Sequence, residues 1–144
     1  MKFINKMPLN YLILHQTVKM IKKNIFSIVV ALIILYLSLA SSDTFKNVPF
    51  YDIPYLDKIV HFAMYFGLMS TIIFDNRKTI KSNRQLILIA LIPLFYGILM
   101  EILQATLTVS RYGSIYDVMA NSTGIITSII FWLMIKRFIK NSVR

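Results

Sequence analysis

Three of the chain's apolar runs each carry one residue able to do chemistry: His61 within 59–74, Glu101 within 86–107 and Asn121 within 118–135. The imidazole can take or give a proton near neutral pH, and a carboxylate can serve as acid or second base. Spacing adds companions on the same helix faces. Asp57, His61 and Tyr65 fall four apart, Glu101 and Gln104 three apart, Asp117 and Asn121 four apart. Lys58 and Arg111 are cations that could clamp a phosphate or carboxylate. The candidate catalytic residues are therefore His61, Glu101 and Asp57, with the His61 ring oriented by Asp57 or Glu101. The candidate ligand-binding residues are Lys58, Tyr65, Gln104, Arg111, Asp117 and Asn121. His, Glu and Asp could hold a divalent ion, but there is no paired-His motif of the H-E-x-x-H kind, so neither a metal nor another cofactor is expected. No glycine-rich phosphate loop or G-x-S-x-G elbow names a reaction.

The elements that must position these residues are transmembrane helices. The 144-residue chain is 57% hydrophobic and only 15% charged, where soluble domains run about 45–50% and about 25%. Segment 24–40 holds no charged residue, and the other three runs hold only His61, Glu101 and none, respectively. A hydrocarbon core of about 30 Å needs about 20 helical residues, fewer when flanking residues snorkel. Strict polar alternation, the mark of a barrel strand, is absent. The expected fold is an all-α membrane protein, a four-helix transmembrane bundle over 24–144 with spans at about 24–40, 57–74, 86–107 and 117–135. Segment 1–23 is a cytoplasmic or interfacial extension. At 1.5 Å per residue, His61 and Asn121 lie about 6 Å below their span entrances and Glu101 about 9 Å below its exit. Three helices thus deliver polar groups to similar depth, with Asp57, Asp117 and Arg111 ringing the layer above.

Orientation follows from the basic residues. Thirteen of the sixteen lie in the amino-terminal segment, the connection 75–85 and the tail; only Lys46, Lys58 and Arg111 remain for the other side. The positive-inside rule puts both termini of this multi-pass protein in the cytoplasm. The net charge of +10 therefore sets orientation; nucleic acid is not an expected partner, because no basic face is interleaved with aromatics. Lysines followed by Ile25 to Leu37 and Ser38-Leu39-Ala40 have the outline of a signal peptide, though a leading region of about 24 residues is long for one. Leu14, Val18, Ile21 and Ile25 recur at helical spacing among Lys19, Lys22 and Lys23, which fits an interfacial amphipathic helix or a cytoplasmic extension of the first span. The sequence does not decide between these two.

Each polar residue also has a plainer role. Glu101 could pair with Arg111 or Lys58, His61 could make a helix-to-helix hydrogen bond, and Asp117 could simply cap the fourth helix. Asn121 and Gln104 are ordinary interhelical hydrogen-bonders. Gly124 and Ser128 form a small-xxx-small pair where another helix, including one from a second copy, can approach closely. Pro93 should kink the third span or free a carbonyl. Phe45, Phe50, Tyr51 and Tyr55 suit an interfacial belt. The absence of cysteine excludes disulfides and thiolate chemistry.

Taken in order, Asp57-Lys58-x-x-His61-Phe62-x-x-Tyr65, Glu101-x-x-Gln104 and Arg111-x-x-Ser114-x-x-Asp117-x-x-x-Asn121-x-x-Gly124 resemble the VanZ-like family over about residues 57–128. That family is named for a small membrane protein associated with teicoplanin resistance in Gram-positive bacteria. The resemblance implies the fold and the motif residues, and it makes a link to glycopeptide resistance one candidate role. The expected function is binding or modification of a lipid-linked or cell-envelope precursor at a polar outer-leaflet pocket. The alternatives are a non-catalytic scaffold whose polar layer fixes helix packing or docks a partner, and a small transporter, which four spans leave little room for.

Overall fold

The computed structural model describes residues 8–40, 54–108 and 113–142, with side chains through Phe138. The elements are α1 (Leu9–Lys23), α2 (Ile25–Leu39), α3 (Leu56–Asn76), α4 (Asn83–Leu107) and α5 (Ile115–Ser142). The aromatic residues Phe45, Phe50 and Tyr51 of the expected belt lie outside the described residues. Among the described residues, three helices are long and apolar enough to cross a membrane: α3, α4 and α5 through Phe138. A fourth span arises if α1 and α2, which meet at 75°, are counted together.

The 75° bend separates α1 from the direction of α2. Asn24 makes the corner: its amide Nδ2 donates to the Met20 carbonyl at 2.9 Å, and its Oδ1 accepts from Asn76 Nδ2 at 3.0 Å. Lys23 Nζ donates to Thr79 Oγ1 at 3.0 Å, tying the same corner to the α3–α4 turn. α1 buries no residue; Leu14, Val18 and Ile21 stay exposed beside its lysines.

Two helix starts differ from the apolar runs for local reasons. α4 begins at Asn83 rather than near 86 because Ser82 and Gln85 form a capping box. The Ser82 hydroxyl accepts from the Gln85 N–H, and Gln85 Oε1 accepts from the Ser82 N–H, each at 3.3 Å. α5 continues past 135 because no glycine or proline follows Gly124 to stop it. Pro93 sits buried inside an uninterrupted α4, where its missing N–H leaves the Ile89 carbonyl without its usual helical donor.

α3 and α5 share the most extensive helix contact. On α5 the residues Asp117, Asn121, Gly124, Ile125 and Ser128 are buried, one stripe at three- and four-residue spacing. Gly124 lies so close to α3 that a Cβ there would collide with the Phe62 carbonyl oxygen. One turn on, Ser128 Oγ and Ser70 Oγ hydrogen-bond at 2.9 Å. The small-residue pair thus serves close approach within a single chain. α2 closes the other side: Tyr96 Oη donates to the Ala31 carbonyl at 2.6 Å, and Asp75 Oδ2 accepts from both Ser27 N–H and Ser27 Oγ at 3.0 and 2.7 Å. Tyr65, Leu68, Met69, Ile72, Met100 and Ile34 fill the centre. Ile87, Ile92, Phe95, Phe131 and Met134 project outward, as helices surrounded by lipid rather than water would have them.

Candidate functional site: a buried polar cluster between three helices

α3 starts after Tyr55, whose left-handed backbone (φ 62°) turns the chain sharply into the first helical turn. That turn sets Asp57 and Lys58 at the mouth of the bundle and His61 and Tyr65 inside it. α4 brings Glu101 and Gln104 in its last two turns. α5 brings Asp117 in its first turn and Asn121 in its second.

His61, Glu101, Asp117 and Asn121 converge. His61 Nδ1 lies 3.1 Å from Asn121 Oδ1 and 3.5 Å from Glu101 Oε1. One ligand-type atom each from His61, Glu101 and Asp117 lie within 4.8 Å of one another. Lys58 Nζ reaches in from the mouth to Asp117 Oδ1 at 3.1 Å while also bonding Asp57 Oδ2. Side-chain exposure falls along this series, from 48% at Asp57 and 31% at Lys58 to 9% at Asp117, 7% at Glu101 and 4% at His61. A chain of ionisable groups therefore leads from the surface to a closed interior. Such groups survive desolvation only when paired, and these are.

The α4–α5 connection is stitched to the cluster. Ser114 N–H donates to Glu101 Oε2 at 3.1 Å. The Ser114 carbonyl accepts from Asp117 N–H and Val118 N–H, and its hydroxyl accepts from Tyr116 N–H. Ser114 therefore starts α5, and Asp117, buried on Lys58, is not the simple cap that its position alone suggests. A Cβ on Gly113 would strike the Glu101 carbonyl, so that residue too is held small.

The remaining sequence-derived residues divide. Tyr65 and Asn121 are buried, and among the described residues neither Tyr65 Oη nor Asn121 Nδ2 has a hydrogen-bond partner. Both stand against Gly97, where an added Cβ would lie 3.1 Å from Tyr65 Cε1 and 3.2 Å from Asn121 Nδ2. Gln104 turns away to donate to the Ser38 carbonyl of α2 at 2.9 Å. Asp57 shares the face of His61 but bonds Lys58; the ring is oriented by Asn121, with Glu101 alongside, rather than by Asp57. Arg111 lies outside the described residues. Gly97 and Ser38 were not among the expected site residues. A glycine one turn before the only buried acid of its span is the signal that could have found the first; a backbone carbonyl on another helix leaves no signal for the second.

A separate cavity of about 380 Å³ opens between α2, α3 and α4, lined by Asn24, Ser27, Ile72, Asn76, Pro93 and Tyr96, at the opposite end of α3 from His61.

The cluster has a proton carrier, carboxylates and buried donors in one place, sufficient for general acid–base chemistry or for holding a polar group. No curated protein and no solved structure shows a significant match to the chain. The VanZ/LLP1 family model matches residues 2–136, which takes in every residue of the cluster, and the chain belongs to that family.

Proposed function

We propose that this VanZ/LLP1-family protein spans the bacterial cytoplasmic membrane four times, with both termini inside, and uses the His61 cluster to bind or modify a phosphate-headed lipid or lipid-linked envelope precursor at the outer leaflet. The observation that carries the reading is the pair of buried donors without partners, Tyr65 Oη and Asn121 Nδ2, beside His61 and Glu101. Buried donors are ordinarily satisfied, and an exception beside titratable groups suits an incoming oxygen-rich ligand. Lys58, one-third exposed at the mouth, is the cation that a headgroup phosphate meets first. His61 is the general base or acid in a modifying reaction, and Glu101 its carboxylate partner. A link to glycopeptide resistance follows if the precursor belongs to the wall.

The test is native mass spectrometry of the purified chain from nanodiscs containing a polyprenyl phosphate and a neutral lipid in equal amounts. Retention of the phosphate lipid by wild type, lost in Lys58→Met and Tyr65→Phe, is expected. Equal retention of both lipids rejects the reading.

A second reading has its own observation. Across the helix pairs His61–Asn121, Ser70–Ser128, Gln104–Ser38 and Tyr96–Ala31, polar groups bind helix to helix. A non-catalytic scaffold needs no more than that, and it predicts that function follows folded amount alone.

A further inference from the structure

We infer that His61, Glu101, Asp117 and Asn121 form a divalent-metal site between α3, α4 and α5, and that Lys58 holds it closed when no metal is bound. The inference does not depend on the lipid reading, because metal uptake is measured without any lipid.

The geometry is close to that of a coordination shell. Oxygen and imidazole ligands sit about 2.0–2.2 Å from Zn²⁺ or Mg²⁺-sized ions, so neighbouring donors on one ion stand about 3.0–3.4 Å apart. His61 Nδ1 to Asn121 Oδ1 is 3.1 Å and His61 Nδ1 to Glu101 Oε1 is 3.5 Å. The wider spread, up to 4.8 Å with Asp117 included, needs a movement of about 1 Å, within a carboxylate's rotation. The donors come from three different helices, each already packed, so the site is held by the same contacts that hold the bundle.

A second feature points the same way. The Asn121 amide is buried and its Nδ2 has no partner, although its Oδ1 faces His61. In the metal-free chain, Nδ1–H donates to Oδ1. With an ion present, the imidazole carries its proton on Nε2 and Nδ1 binds the metal, while Nδ2 is left facing any oxygen that completes the shell. Tyr65 Oη, also without a partner, is the other donor against Gly97.

Lys58 explains how an acid as buried as Asp117 is tolerated without an ion: Nζ at 3.1 Å is its present counter-charge. Metal and ammonium compete for the same carboxylate. One imidazole, two carboxylates and an amide oxygen, with no sulfur, suit borderline-to-hard divalent ions, and Mn²⁺ and Zn²⁺ are the appropriate probes.

The experiment uses the full chain in detergent, stripped with chelator and equilibrated with Mn²⁺ or Zn²⁺. Bound metal is counted after desalting, free Mn²⁺ is followed by electron paramagnetic resonance, and Tm is read with and without the ion. One ion per chain and a raised Tm are expected. Asp117→Asn and His61→Gln should each weaken binding at least tenfold, and Lys58→Met, by releasing Asp117, should strengthen it about tenfold. Lys58→Met keeps the inference falsifiable even where a ligand variant fails to fold. A wild-type chain that takes up no ion, uptake unchanged in both ligand variants, or Lys58→Met binding no tighter than wild type would each overturn it.

Discussion

His61 and Asn121 meet across the α3–α5 interface, Nδ1 to Oδ1 at 3.1 Å, with both side chains almost fully buried. Their contact lies one turn from the point where Gly124 lets the α5 backbone touch α3. A buried polar pair and a packing motif are therefore positioned by the same helix crossing. A double-mutant cycle of His61→Ala and Asn121→Ala, read as thermal or denaturant stability in detergent, should give a coupling of about 0.6–1.7 kcal/mol, the range for interhelical hydrogen bonds in membranes. A coupling of zero would mean that the two side chains do not interact in the folded protein.

Gly124 and Gly67 should respond in opposite ways to the same substitution. A Cβ at 124 collides with the Phe62 carbonyl and approaches the Phe66 amide nitrogen, while one at 67 meets nothing within 4 Å. Gly124→Ala should therefore cost about 1–3 kcal/mol, as overpacking does. Gly67→Ala should be neutral or stabilising by up to about 1 kcal/mol from helix propensity. Matching Tm values for the two variants would show that α3 and α5 do not approach as closely as described.

Glu101→Gln separates chemistry from architecture. The amide oxygen of glutamine can still accept from Ser114 N–H, so the stability change should stay within about 1 kcal/mol, while the charge beside His61 is lost. Function per folded molecule, read as phosphate-lipid retention, should fall at least tenfold. Retained function at normal abundance would favour the scaffold reading. A stability loss of about 3–5 kcal/mol would mark Glu101 as the counter-charge of a buried cation.

Topology can be read by thiol labelling, since the chain has no cysteine of its own. Lys78→Cys, an exposed position beyond α3, should react with a membrane-impermeant reagent only after permeabilisation, and Asn47→Cys should react in intact cells. The reverse pattern would invert the orientation and put the His61 cluster at the cytoplasmic face.

Much of this molecule was legible in one dimension because the membrane simplifies the problem. Apolar runs must become helices wherever no water can satisfy the backbone, so the cores of α2 to α5 follow from composition. Helical periodicity put His61 with Tyr65, and Asp117 with Asn121, on shared faces, and the three motifs in order were enough to indicate the family. Helix ends were less legible. The bend at Asn24 depends on Asn76, 52 residues away, and the α4 start depends on a capping box outside the apolar run.

What only the tertiary structure decided is which partner each polar side chain chose. By spacing, Asp57 is placed to orient His61, yet it bonds Lys58, and Lys58 in turn reaches Asp117, while Asn121 meets the ring from another helix. Gln104, one turn from Glu101 on the same helix, turns to a backbone carbonyl of α2 instead of joining the cluster. Periodicity fixes the face on which a residue lies, because it is a property of one helix. Partner choice depends on the crossing of several, set here by Gly97 and Gly124 through the space that their missing side chains leave. A histidine and two acids separated by 40 and 16 positions in the chain therefore become one cluster only after the helices have packed.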